Sequence, residues 1–222
     1  MKIAFVIYPD VTQLDFTGPL QVLSRLPEAE IHLVAGALEP LPTDSVLSLN
    51  PTVTFDECPQ ADILCVPGGF GTEQAIADEV LIGFLRQQAL GAQYVTSVCT
   101  GAFILGAAGL LEGKKATTHW AYRDALSLVG AIPTRGRVVR DGNIFTGGGV
   151  TAGIDFALTL VAEIAGSELA QSIQLGIEYD PGPPYDAGAP ERAPEQVAKR
   201  LNAFYGARMA QFTKSLEAVM AP

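Results

Sequence analysis

The sequence lacks a long hydrophobic run, although 48% of its 222 residues are apolar. It contains no uninterrupted apolar segment of about 18 residues, the length that crosses a bilayer. The apolar run at 1–9 is too short for a signal peptide and has the wrong flanking residues. We therefore expect neither a secretory leader nor a membrane partner.

Basic residues are scarce. The chain has 14 Lys and Arg against 24 Asp and Glu, which gives a formal net charge of −10. Its longest basic element is the pair Lys114-Lys115. Because this charge repels phosphate backbones and anionic lipid surfaces, a nucleic-acid partner is not expected.

Cysteine is also scarce, with only Cys58, Cys65 and Cys99 present. An odd number of cysteines at these spacings does not suit a disulfide framework, and no CxxC pair or Cys/His cluster suggests a metal site. We expect no metal and a reducing, cytoplasmic location.

The sequence does contain short β-branched runs that alternate with amphipathic helical segments and show no internal repeat. This pattern predicts one α/β domain over 1–222, with a mostly parallel sheet and helices on both faces. The predicted strands are 2–8, 30–35, 63–66, 94–98, 116–118 and 143–146. The predicted helices are 16–26, 72–77, 79–90, 101–110, 120–129 and 151–165. Segments 41–55 and 134–139 are expected to form small antiparallel additions.

The segment 180–190 contains four prolines, which exclude regular structure. Two interpretations stay open: a connector to the last helix, at 194–219, or a lid or partner contact. The helix belongs to a predicted C-terminal extension at 191–222.

The clearest chemical signal is Ser-Val-Cys-Thr-Gly-Ala at 97–102, where an apolar strand ends in Cys99 and turns directly into a helix. The unpaired amides and positive dipole of a helix start predict a lowered thiol pKa and a site for a developing anion. This position favours a nucleophile over a packing residue. Cys65, inside an apolar strand, and Cys58, in a loop, are predicted to be packing or incidental residues.

The first strand is followed by two acidic residues, Asp10 and Asp15. Asp10 lies in a Pro-Asp turn, where a carboxylate commonly accepts backbone hydrogen bonds. Asp15 is the better catalytic candidate, although an Asp just before a helical segment also suits a helix N-cap.

Two glycine clusters, at 68–71 and 147–149, follow other strands without the spacing of a phosphate-binding loop. They predict close backbone approach, with amides from the first cluster opposite Thr100. His119 follows a predicted strand and could reach the same crevice, but a lone histidine also suits packing. His32 lies within a strand and is predicted to be structural or exposed.

Five motifs in this order resemble the ThiJ/PfpI superfamily across nearly the whole chain. They are Leu-Asp-Phe-Thr-Gly-Pro at 14–19, Val-Pro-Gly-Gly-Phe-Gly at 66–71, the cysteine motif at 97–102, Ala-Thr-Thr-His-Trp at 116–120 and Asp-Pro-Gly-Pro-Pro at 180–184. The resemblance implies a flavodoxin-like α/β sandwich and a homodimer. Within the superfamily, the chain looks most like the bacterial isocyanide hydratases.

The resemblance implies Cys99 as nucleophile and Asp15 as the acidic residue that contacts it. The expected reaction is cofactor-free hydration of an isocyanide to an N-substituted formamide through a covalent thioimidate. We expect the amides of Gly69, Phe70 and Thr100 to orient water or the tetrahedral intermediate. The residues expected to line the crevice are His119, Gly148, Val150 and Asp180.

The chain differs from three other groups of the superfamily, and these differences narrow the expected activity. PfpI-type proteases have a histidine directly after the cysteine, where this chain has Thr100, and deglycase-like members normally have Glu where Asp15 stands. The related transcription regulators carry an additional helix-turn-helix module, whereas this chain has one helix after residue 194. A glyoxalase or deglycase acting on aldehydes and a non-catalytic redox-sensing protein remain the alternatives.

Overall fold

A seven-stranded sheet forms the centre of the computed structural model, which describes residues 1–221. The strands lie in the order β10, β11, β7, β6, β1, β2, β5, and only β10 runs antiparallel to its neighbour. Their bounds are β1 Lys2–Val6, β2 Glu30–Ala35, β5 Val53–Thr54, β6 Ile63–Val66, β7 Tyr94–Val98, β10 Val138–Asp141 and β11 Ile144–Gly147. The predicted mostly parallel sheet is confirmed.

Helices cover both faces of this sheet. They are α1 Gln13–Leu23, α2 Thr72–Ala75, α3 Glu79–Ala89, α4 Gly101–Ala107, α5 Ala152–Ala165, α6 Ser167–Gly176 and α7 Glu195–Met220, with a 3-10 helix at Trp120–Val129. Residues of α1, α5 and α6 belong to one apolar cluster, and those of α2, α3, α4, the 3-10 helix and α7 belong to a second cluster. The sheet therefore separates two cores.

The side chains of β1 show why its four residues from Ile3 to Val6 are all apolar. Ile3 and Phe5 pack into the core beneath α1 and α5, while Ala4 and Val6 pack into the opposite core. Successive strand residues point to opposite faces, so a sheet covered on both sides buries all of them. Each large apolar side chain buried in this way contributes about 1.5–3 kcal/mol.

Three predictions about the minor strands need correction. The strand predicted at 116–118 is β8, Lys115–Ala116, which pairs in parallel with β9, Ile132–Pro133, in a separate small sheet. Segment 134–139 contains only the first half of β10, which pairs antiparallel, as predicted, but at the edge of the central sheet. In segment 41–55, β3 (Leu41–Pro42) and β4 (Ser48–Leu49) do pair antiparallel, but β5 joins the central sheet. Local turn residues could not distinguish a separate hairpin from an edge strand.

The C-terminal part contains one helix that the sequence patterns did not predict, α6, and one that they did, α7. Segment 180–190 is irregular, as expected. Helix α7 returns to the body of the protein, where Phe212 and Leu216 are buried in the same core as α4. Residue 222, part of the predicted extension, lies outside the described residues. Within 1–221, no helix is both long and apolar enough to cross a membrane.

Candidate active site

Cys99 lies at a sharp elbow between β7 and α4. Its φ is 55°, in the left-handed region that non-glycine residues seldom adopt. The cysteine amide donates to the carbonyl oxygens of Gly147 and Gly148, and its own carbonyl accepts a 2.6 Å hydrogen bond from Thr118 Oγ1. These contacts hold a strained backbone in place, which is the geometry predicted for a nucleophile elbow.

Gly68 brings the neighbouring strand end unusually close to this elbow. A Cβ atom at Gly68 would lie 2.5 Å from the Thr100 amide nitrogen and 2.6 Å from Thr100 Oγ1, so a side chain does not fit. The Gly68 amide donates a 3.0 Å hydrogen bond to Asp15 Oδ2. The absence of a side chain therefore lets one turn contact both the elbow and the carboxyl group.

Asp15 lies beside the thiol in the first turn of α1 and is 1% exposed. Its Oδ2 accepts the hydrogen bond from the Gly68 amide, and its Oδ1 has no hydrogen-bond partner. The Cys99 side chain lies next to this carboxyl group. Burial raises the pKa of Asp15 to about 8. The N-cap alternative does not hold, because Thr12 occupies that position.

The prediction that the helix start lowers the pKa of the Cys99 thiol is wrong, because its surroundings raise this pKa. Cys99 is 7% exposed, and burial is the main cause that raises its pKa, followed by the negative charge of Asp15. Hydrogen bonds from the Thr100 and Val150 amides oppose this effect without reversing it. A short helix start cannot offset the desolvation of a thiolate beside a carboxylate.

A network of hydroxyl groups occupies part of the predicted oxyanion site. The Gly69 amide donates to Thr100 Oγ1 at 3.0 Å, and Thr72 Oγ1 lies 2.8 Å from that same oxygen. The Tyr8 hydroxyl donates to the Pro67 carbonyl and lies 3.3 Å from Thr72 Oγ1. Tyr8 and Thr72 were not predicted as site residues. Tyr8 is the last residue of the predicted strand 2–8, and Thr72 directly follows the glycine cluster at 68–71.

His119 serves a local structural role here. Its Nδ1 accepts a 3.3 Å hydrogen bond from the Ala121 amide at the start of the 3-10 helix, and its ring lies 4.9 Å from that of Tyr205. Burial lowers the pKa of His119 to about 4, so the ring is neutral at physiological pH.

Two cavities flank the elbow. A small one of about 50 Å³ has Gly69, Phe70 and Thr100 in its wall, the three residues expected to orient water. It has room for water. A larger one of about 670 Å³ is lined in part by His119, Gly148 and Val150. Asp180, also expected in the crevice, is exposed and lies outside both cavities.

Two residues of α7, Arg208 and Phe212, line the smaller cavity, and sequence patterns did not place them there. The Phe212 ring lies 4.9 Å from that of Phe103 and 5.6 Å from that of Tyr122, while Arg208 stacks 4.0 Å above the Phe70 ring. These α7 residues are more than 100 positions away from the elbow in sequence. Only the docking of α7 brings them to it.

The other candidate side chains lie in structural settings. Cys65 is buried within β6, where desolvation raises its pKa to about 12, and Cys58 is half-buried in a loop. His32 lies in β2, 3.0 Å from the carboxylate of Glu30.

The parallel sheet, the cysteine elbow and the buried carboxyl group define a class of α/β proteins in which a cysteine lies at the turn from a central strand to a helix. The chain belongs to the DJ-1/PfpI family, whose pattern it matches over residues 1–163. It is 56% identical over 197 residues to the isonitrile hydratase of Pseudomonas putida, an alignment that covers 89% of this chain and 86% of that protein.

Structural comparisons agree with this family membership. A ThiJ/PfpI family protein from Pseudomonas syringae superposes with a TM-score of 0.93 at 45% identity, over 100% of this chain and 90% of that one. The transcriptional regulator GbdR of Pseudomonas aeruginosa is 30% identical over 81% of this chain but only 51% of the regulator. The homodimer implied by the resemblance stays a prediction.

Proposed function

We propose that the protein hydrates organic isocyanides to N-substituted formamides, with Cys99 as nucleophile and Asp15 as the group that transfers protons. The observation that carries the proposal is a buried carboxyl group that lies next to a buried thiol at a strained elbow. The 56% identity to an isonitrile hydratase supports the substrate class.

The first step joins the thiol to the isocyanide R–N≡C. Ionised Asp15 accepts the proton of Cys99, and the sulfur attacks the terminal carbon of the isocyanide. The protonated carboxyl group then donates that proton to the same carbon. One C–S and one C–H bond form, and the product is the thioimidate R–N=CH–S–Cys99.

Hydrolysis of the thioimidate uses the same carboxylate. Asp15 accepts a proton from water as the oxygen bonds to the thioimidate carbon, and the protonated carboxyl group then donates that proton to the nitrogen, which leaves Asp15 ionised again. The C–S bond of the resulting tetrahedral intermediate then breaks, the hydroxyl proton returns through Asp15 to Cys99, and the formamide R–NH–CHO leaves. The cavity beside Gly69, Phe70 and Thr100 offers room for this water.

The hydrogen bonds around the thiol favour an isocyanide over an aldehyde. An aldehyde substrate develops an alkoxide, which needs free donors close to the sulfur. The Gly69 amide already donates to Thr100 Oγ1, and the amides of Thr100 and Val150 donate to the Cys99 sulfur. An isocyanide carbon has no oxygen to stabilise, so its main requirement is a proton donor, which Asp15 supplies.

Product analysis tests this function directly. The native protein is incubated with phenyl isocyanide and, in parallel, with methylglyoxal, and the products are identified by mass spectrometry. We expect formanilide from the native protein and none from Cys99→Ser. Cys58→Ser is the matched control, because its thiol lies in a loop before Pro59. If methylglyoxal is consumed and no formanilide forms, the protein acts on aldehydes and the proposed isocyanide hydration is wrong.

A further inference from the structure

The carbonyl group of Cys99 is held by a side chain from another part of the fold. Thr118 Oγ1 donates to this carbonyl at 2.6 Å, at the short end of the range for hydroxyl donors. The Ala102 amide also reaches the same oxygen, but at 3.4 Å. Because Thr118 is 2% exposed and Cys99 is 7% exposed, water cannot readily replace the hydroxyl as a donor.

The segment that carries Thr118 is fixed by the residues on either side of it. The amide of Thr117 donates to Thr146 Oγ1 in β11 at 2.9 Å. His119 packs closely against Gly149, where a Cβ atom would lie 2.6 Å from His119 Cδ2. The position of the Thr118 hydroxyl is therefore set independently of its contact with the elbow.

The carbonyl group that Thr118 binds belongs to the same peptide group as the amide of Thr100. A trans peptide group is planar, and its C=O and N–H bonds point in opposite directions. A hydrogen bond that fixes the carbonyl therefore also fixes the direction of the N–H. In this structure the Thr100 N–H donates to the Cys99 sulfur, where it favours the thiolate.

The elbow needs this restraint because its backbone is strained. Cys99 has a φ of 55°, a conformation that a non-glycine residue keeps only when the surrounding contacts hold it. The carbonyl oxygens of Gly147 and Gly148 hold the amide side of Cys99, and Thr118 holds the carbonyl side. If the carbonyl were released, the peptide group would be free to rotate, and its N–H would turn away from the sulfur.

We propose that Thr118 is a positioning residue for isocyanide hydration, whose hydroxyl fixes the peptide group between Cys99 and Thr100 and so keeps the Thr100 amide directed at the attacking sulfur. Thr118 acts through the backbone of the elbow and not on the substrate. His119 is the candidate that the sequence suggested in the motif at 116–120, whereas the side chain that bonds to the cysteine backbone is that of Thr118. This inference rests on the proposed function, in which the Cys99 sulfur is the attacking atom.

The test compares Thr118→Val, which nearly keeps the shape of the side chain but has no hydroxyl, with Thr118→Ser, which keeps the hydroxyl. One readout is kcat/KM for phenyl isocyanide. The other is the rate at which iodoacetamide alkylates Cys99 at pH 8.5 (about the pKa of a free thiol), measured on the isolated peptide by mass spectrometry so that Cys58 and Cys65 do not contribute.

Thr118→Val should lower kcat/KM about tenfold, the effect of losing one hydrogen bond to a charged sulfur. Its Cys99 should be alkylated about threefold more slowly, because the smaller fraction of thiolate is offset in part by the greater nucleophilicity of a more basic sulfur. Thr118→Ser should stay within about twofold of the native protein in both rates, since serine offers the same donor.

Thr117→Val is the matched control. The Thr117 hydroxyl also donates to a backbone carbonyl, that of Gly136 at 3.1 Å, rather than to the elbow. The Thr117 amide, which anchors the segment to Thr146, is unchanged by this substitution. The control should therefore keep both rates, and urea unfolding of each protein shows whether it folds. Should Thr118→Val fail to fold, Thr118→Ala, which removes the hydroxyl without adding atoms, takes its place with the same expectations.

The outcomes separate this inference from the proposed function. If Thr118→Val is less stable but keeps the native rates of turnover and of Cys99 alkylation, Thr118 has a structural role only and the inference is wrong. Faster alkylation of Cys99 in that variant would also contradict it. If the native protein does not hydrate phenyl isocyanide, the proposed function fails, while slower alkylation in Thr118→Val would still show that Thr118 sets the reactivity of the thiol.

Discussion

The carboxyl group of Asp15 and the thiol of Cys99 lie next to each other, and both are buried away from solvent. Burial raises the pKa of both groups, so the pair holds its protons at neutral pH more tightly than isolated side chains would. A reaction that moves one proton from sulfur to carbon can use such a pair once Asp15 is ionised, because the carboxylate accepts the thiol proton and then donates it to the carbon.

Replacing Cys99 by alanine should abolish isocyanide consumption without unfolding the protein. Alanine adopts a φ of 55° no less readily than cysteine, and the substitution removes only a small buried side chain. Turnover by gas chromatography and thermal unfolding by circular dichroism measure the two effects. Retained turnover in Cys99→Ala would exclude the covalent mechanism.

Replacing Asp15 by asparagine should reduce turnover severely and stabilise the fold at neutral pH. In the unfolded chain this carboxyl group ionises near pH 4, but in the folded protein it stays protonated until about pH 8. The native protein therefore loses stability as pH rises between these values, by about 4 kcal/mol at pH 7. Asparagine does not titrate and avoids this loss.

Urea unfolding of the native protein and Asp15→Asn at pH 4.5 and pH 7.5 measures the difference. The advantage of the variant should be small at the lower pH and larger at the higher pH. An equal difference at both values would show that the folded Asp15 has an ordinary pKa.

The pH dependence of turnover should follow the ionisation of Asp15. Asp15 must be ionised to accept the thiol proton, so kcat/KM is expected to rise with pH and to reach half its maximum near pH 8. Steady-state rates between pH 5 and 9.5 in buffers of constant ionic strength test this. A half-maximum near pH 4, the value of an exposed aspartate, would contradict the role of burial.

Gly68→Ala should impair both stability and turnover. A Cβ atom at this position would lie 2.5 Å from the Thr100 amide nitrogen, so the contact between the glycine turn and the cysteine elbow must open. We expect a loss of about 1–3 kcal/mol, typical of overpacking in a close-packed interior. The measurements are urea unfolding and kcat/KM.

Gly83→Ala is a matched control for that variant. Gly83 lies within α3, and a Cβ atom there meets nothing within 4 Å. Alanine should stabilise this helix by up to about 1 kcal/mol and leave turnover unchanged. Equal destabilisation of both variants would mean that the crowding at Gly68 has no special effect.

Local sequence patterns were enough to predict the central sheet and the position of the cysteine elbow. Continuous apolar runs such as 63–66 predict strands buried on both faces, and the abrupt change from strand to helix at Cys99 predicts the elbow, because both signals are local in the chain. The resemblance to the ThiJ/PfpI superfamily implied that Asp15 is the acidic residue that contacts the Cys99 thiol.

The ionisation of Cys99 and Asp15 and the shape of the cavities around them depend on tertiary packing. The helix start near Cys99 predicts a lowered thiol pKa, but burial beside Asp15 raises it. Likewise, Arg123 and Arg192 lie far apart in sequence yet line one cavity. Desolvation and charge clustering depend on which distant segments pack together, and no local pattern records that packing.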